Sequence, residues 1–129
     1  SCTDGAAQAR NVLAAIPDDA TTLPIALDVE SGGICGGVDD PKRISAEFQE
    51  FVDMVERERG ETIFYVLPGF EYLLKDDETH PMWRRFIWIR PRQQWAIWQA
   101  SWFVEVQGIE GPVDLNIMSA ASVERWLET

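Results

Sequence analysis

Two carboxylates set two residues apart, Asp28 and Glu30, close the apolar run LPIALDVE and form the strongest chemical signal in the chain. Side chains two positions apart on a strand project from the same face, so the pair shares one side while Val29 turns away. At the usual rise per residue their Cα atoms stand about 6.5 to 7 Å apart. Two carboxylates that close in a partly enclosed place cannot both ionise cheaply. One pKa then rises toward the working pH, leaving a proton for donation beside an anion. In parallel α/β folds such groups gather where strands end and loops begin. Two solvated carboxylates at a strand exit have the same spacing, so the motif is weak by itself.

A second cluster lies near the C-terminus. In VDLNIM, Val113, Leu115 and Ile117 alternate with Asp114 and Asn116, which puts an acid and an amide on one strand face. A polar cavity and an exposed edge strand both have this pattern. Just upstream, WAIWQASW holds Trp95, Trp98 and Trp102 out of six tryptophans in the chain. Aromatic faces against the apolar face of a pyranose ring are one use for them, and core packing is the other, expected for at least half.

The elements that must position these residues can be read from periodicity. Ala9, Val12, Leu13 and Ile16 recur at helical spacing and stop at Pro17, predicting a helix near residues 4 to 16. Leu23 to Val29 is too short for a typical helix and reads as a strand covered on both faces. After the glycine-rich loop SGGICGG, Asp40 and Pro41 supply an N-cap and a first-turn proline. The helix they open carries Ile44, Phe48, Phe51, Val52 and Val55 on one face and stops at Gly60. TIFYVLP reads as a second buried strand, GFEYLLKD as a short helical or irregular piece, FIWI and WAIWQA as two more strands and VDLNIM as a fifth. Ser119 then caps a last helix with Val123, Trp126 and Leu127 on one face. Strand and helix alternate at first, predicting a parallel α/β sheet, and the connections shorten toward the end.

Composition sets the outer bounds. With 129 residues, 46% hydrophobic and 26% charged, the chain has the size of one globular domain, residues 1–129. A net charge of -11 opposes nucleic acid and anionic membrane surfaces as partners. No apolar run approaches the roughly 18 residues of a membrane span, and the start SCTDGAAQAR lacks the basic-then-apolar order of a signal peptide. It also lacks a first Met, so the expectation is a chain processed, trimmed or taken from a longer one. Cys2 and Cys35 can pair in an oxidising compartment, but the count favours two thiols. With one histidine and no CxxC, neither a metal nor another cofactor is expected.

Taken together, PIALDVE, TIFYV, WAIWQ and GIEGPVDLN resemble, in order and approximate spacing, the family 25 glycoside hydrolases. These lysozymes carry a strand ending in D-x-E, an I-Y-T-like strand, a W-x-x-W-Q-Y strand and a G-I-x-G-x-V-D-L-N segment. The resemblance runs over nearly the whole chain, and the combination is far more selective than any one piece. It implies an α/β fold, a partial (β/α) barrel of the family 25 lysozyme type lacking its first three strands, since a closed eight-stranded barrel takes about 250 residues. It also implies Glu30 as general acid, Asp28 as its partner near the substrate acetamido group and Asp114 as a further catalytic carboxylate. Tyr65, Trp98 and Gln99 then line the sugar cleft, and Trp88 at its wall and Asn116 beside Asp114 are read as further substrate-binding residues. The family's first strand, with another catalytic aspartate in a G-x-D-x-S context, has no counterpart here. Ala100 replaces the aromatic that usually follows W-Q, which would shorten the cleft wall or alter sugar preference.

The activity so implied is hydrolysis of the β-1,4 bond between N-acetylmuramic acid and N-acetylglucosamine in peptidoglycan, by a secreted or cell-wall-directed protein of a phage or bacterium. The expected partner is the glycan strand. A non-catalytic carbohydrate-binding half-barrel is the alternative. Without the family's first strands, the edge of Leu23 to Val29 and the inner faces of Ile25 and Leu27 lack neighbours. A homodimer, an exchanged or missing N-terminal segment, or aggregation is then expected.

Overall fold

In the computed structural model the described residues are 4–30, 40–75, 77 and 79–127. Cys2, Cys35 and the SGGICGG loop lie outside them. Asp4 opens the first helix, α1 (Gly5–Ala15), by accepting a hydrogen bond from the Ala7 amide at 2.7 Å. The second helix, α2 (Pro41–Arg59), starts as its sequence dictates: the Asp40 carboxylate accepts from the Lys42 and Arg43 amides, and Pro41 occupies the first turn. It ends at Gly60, whose φ of 82° suits glycine.

The two helices approach through small residues. Ala9 is fully buried, and a Cβ at Gly5 would come within 2.1 Å of the Glu47 carbonyl oxygen, so only glycine fits there. The Gly5 amide donates to the Glu47 carboxylate. At the other end of α1, the Arg59 guanidinium donates to the carbonyls of Leu13 and Ile16 at 3.1 and 2.7 Å, satisfying groups the helix terminus leaves open.

Strands β1 (Ala26–Val29) and β2 (Ile63–Val66) pair in parallel, with Ala26 opposite Ile63 and Asp28 opposite Tyr65. Ile25 joins Ala9, Phe51 and Val55 in the core, and Leu27 packs against that cluster. These two side chains therefore face the helices, not a barrel interior. The expectation of a strand covered on both faces also fails, because Ala26 and Asp28 on the opposite face are exposed. On β2, Phe64 is buried between Phe48 of α2, edge-on at 5.1 Å, and His80, stacked at 4.3 Å.

The chain divides into two compact units, Ser1–His80 and Pro81–Thr129. The second unit holds β3 (Met82–Arg85), β4 (Ile97–Val104), β5 (Val113–Met118) and α3 (Ala120–Leu127). β3 pairs with β4 in parallel, whereas β4 pairs with β5 antiparallel, so the expected parallel sheet does not extend to β5. The strand assigned to FIWI lies one step earlier, at Met82–Arg85. Phe86 to Ile89 instead turn away, with Trp88 at φ 58°, and all but Ile87 are exposed. Ser119 starts α3 by accepting from the Ser122 amide at 3.2 Å, although Leu127 on the expected apolar face is exposed. No helix among the described residues is long and apolar enough to cross a membrane.

Candidate active site

In the first unit the alternation of β1 decides where the carboxylates go. Leu27 is turned to the helices, so Asp28 stands on the opposite face at the C-terminal end of the strand, with Glu30 following two residues on. Tyr65 is the register partner of Asp28 on β2. Phe64 takes the helix side of β2, which leaves Tyr65 on the Asp28 side, roughly 4.8 Å away in the direction of backbone pairing.

Asp28 is exposed as a residue, yet its carboxyl loses part of its hydration at the strand end. That desolvation raises its pKa above 3.8, and the charge of Glu30 raises it further. Asp28 thus holds its proton to higher pH than an ordinary aspartate, burial being the larger cause. The resemblance instead gives proton donation to Glu30.

In the second unit a polar face forms across three strands. Arg85 pairs with Gln99 on one side of β4 and Asn116 pairs with Gln99 on the other, so the three side chains share a face. Gln99 is buried there. The Trp83 indole N–H donates to the Asn116 side-chain oxygen at 3.0 Å. Asp114, two residues before Asn116 on β5, is exposed on the same alternation. Ala100 is only 2% exposed, so the residue at the position of the expected aromatic is packed away and not on an open wall.

Trp98 falls on the opposite side of β4 from Gln99. Its indole N–H donates to the Phe86 carbonyl at 2.6 Å, and its ring meets Trp95 edge-on at 6.1 Å. Trp88 is 60% exposed in the turn after β3, held by its amide on the Ala100 carbonyl at 2.8 Å. The geometry therefore groups Asp28, Glu30 and Tyr65 in one unit. In the other it groups Gln99, Asn116 and Asp114 and separates Trp98 from them. Arg85 and Phe103 were not singled out as binding residues, and Trp102 was named only within its tryptophan cluster, although their exposure and ring contacts mark all three. The legible signal was the absence of acidic residues from Pro81 to Val104 in so acidic a chain. No group of three or more His, Cys, Asp or Glu side chains among the described residues is arranged to hold a metal ion.

Comparison with solved structures gives two matches. A family 25 glycosyl hydrolase from Bacillus anthracis superposes with a TM-score of 0.73 at 20% identity, over 96% of this chain and 63% of that one. The chain shares the fold of this enzyme. A bacterial lysozyme from Streptomyces coelicolor superposes with a TM-score of 0.71 at 22% identity, over 96% of this chain and 64% of that one. The chain thus spans less than two thirds of the length of either structure, and it carries part of a family 25 fold, a mixed α/β arrangement read from D-x-E, W-x-x-W-Q and G-I-x-G-x-V-D-L-N. No protein-family model matches the sequence, and neither does any curated protein.

Proposed function

We propose that the protein containing this chain is a lysozyme-type glycoside hydrolase that cuts the β-1,4 bond between N-acetylmuramic acid and N-acetylglucosamine in peptidoglycan. The observation that carries the reading is the carboxylate pair Asp28 and Glu30 at the C-terminal end of β1, in a chain that shares the fold of a glycosyl hydrolase.

Glu30 donates a proton to the glycosidic oxygen as the bond to the anomeric carbon breaks. Asp28 orients the substrate's own N-acetyl group as an internal nucleophile, or takes a proton from the attacking water in an inverting route. Asp114 supplies a further negative charge to the oxocarbenium-like centre. Tyr65, Trp88, Gln99 and Asn116 bind the sugars, whereas Trp98, on the other side of β4, packs beneath them. Such an enzyme works on cell walls from a secreted or wall-directed location. The edge of β1 away from β2 has no strand partner among the described residues, and on this reading a second copy of the chain or a preceding segment covers it.

The test is digestion of purified peptidoglycan followed by mass spectrometry of the fragments. Hydrolysis of the stated bond leaves new reducing ends on N-acetylmuramic acid. Reducing ends on N-acetylglucosamine, or intact glycan strands, would reject the reading.

A further inference from the structure

From Pro81 to Val104 the chain carries four arginines, five of its six tryptophans and no acidic residue, although 22 acidic residues stand elsewhere. Part of this segment is packed, but one end of it is open. Trp88, Trp102 and Phe103 are 60%, 50% and 51% exposed. They form a connected row: Trp88 meets Phe103 edge-on at 6.2 Å, and Phe103 meets Trp102 at 5.8 Å. The Arg85 guanidinium ends the row, 5.6 Å from the Trp102 ring centroid. Arg85 is exposed too, and no ion pair among the described residues engages it. Three large aromatic side chains left half in water are not serving the core of this unit.

The chemistry of the row narrows its occupant. Rigid aromatic faces present large contact area at low ordering cost, which suits the apolar face of a sugar ring. A guanidinium held over an indole face at this distance keeps its N–H fork free to bind a carboxylate in two-point fashion. A single cation beside three aromatic groups matches a ligand with sparse charge. A nucleic acid carries a charge at every nucleotide, and a chain of net charge -11 opposes it.

We propose that Trp88, Phe103, Trp102 and Arg85 form a binding surface for an anionic saccharide, the rings taking sugar faces and Arg85 taking a carboxylate. The proposal rests on the sugar-binding part of the function above and uses neither Asp28 nor Glu30. It adds Trp102, Phe103 and Arg85 to the binding residues and assigns the ligand a charge.

Calorimetric titration of the folded chain tests it, with two probes: a hexasaccharide of alternating glucuronate and N-acetylglucosamine, and neutral chitohexaose. The expected result is binding of both, with the carboxylated probe about tenfold tighter at low salt, the worth of one charge-assisted contact. That preference should vanish in Arg85→Gln with chitohexaose affinity unchanged. Trp102→Ala should weaken both probes, and Trp102→Phe, which keeps an aromatic face, should restore them. Equal affinity for the two probes in the wild-type chain, no binding of either, persistence of the preference in Arg85→Gln, or tighter binding of a thymidine hexanucleotide would each overturn the proposal. Because binding and not cleavage is read, the outcomes separate from those of the catalytic reading.

Discussion

Asp28 and Tyr65 are register partners on adjacent parallel strands, and both stand on the side of β1 and β2 that the helices leave uncovered. The relationship follows from the pleat. Once Leu27 and Phe64 are committed to the helix layer, their neighbours must project the other way. A carboxyl beside a phenol at a strand end, with Glu30 two residues on, loses hydration on one side and meets a like charge on another.

The Asp28 carboxyl is therefore expected to titrate above 3.8 when followed by carbon NMR of its side chain. Glu30→Gln should lower that pKa without bringing it to the ordinary carboxyl value, since desolvation, the larger cause, remains. An unchanged Asp28 titration in the variant would mean that the two groups do not sense one another.

Gly5→Ala should destabilise the fold by about 1 to 3 kcal/mol, the range for forcing a side chain into a packed contact. The added methyl would meet the Glu47 backbone, which is not a flexible side-chain tip that can swing aside. Chemical denaturation measures it. A loss below about 0.5 kcal/mol, the scale of surface substitutions, would show that α1 and α2 can separate at little cost.

His80 sets a pH dependence in the first unit. Its Nδ1 lies 2.5 Å from Asp77 and its Nε2 2.6 Å from Glu56, so two carboxylates hold the two ring nitrogens and both bonds require the imidazolium. Desolvation pulls the His80 pKa down, but the hydrogen bonds and charges of Glu56 and Asp77 outweigh it, and the net shift is upward from 6.5. A raised histidine contributes fully below its unfolded value and loses that contribution as pH rises through the folded value. Asp77 is also desolvated, yet the hydrogen bonds from His80 and Thr79 lower it from 3.8, so its contribution disappears only at more acid pH. Thermal melts from pH 4 to 9 should show the wild-type advantage over His80→Gln level from about pH 4 to 6.5 and shrinking above. An advantage that grows with pH would contradict the ion-pair reading.

Much of this architecture was legible because local signals and packing agree. Asp40 with Pro41, and Gly60, mark helix ends that the fold keeps, and Ile63 to Val66 and Val113 to Met118 are strands where periodicity put them. FIWI misled because its apolar residues pass for a buried strand, whereas Trp88 turns the chain and the backbone ladder is formed by Met82–Arg85. Ile25 and Leu27 were placed on the wrong side because an unbroken apolar run carries no alternation to tell one face from the other. Only the packing of Ala9, Phe51 and Val55 decides it. The carboxylate pair was visible as D-x-E, but not which member would be shifted, since that depends on how the strand end is solvated.

Glu30 as proton donor is tested by release of new reducing ends from purified peptidoglycan, wild type against Glu30→Gln, in the full-length protein carrying this chain. The amide matches the carboxyl in size and cannot donate the proton, so circular dichroism should show the same fold while the rate falls about a hundred to ten thousandfold. A variant that folds and retains near-wild-type hydrolysis would contradict Glu30 as the general acid.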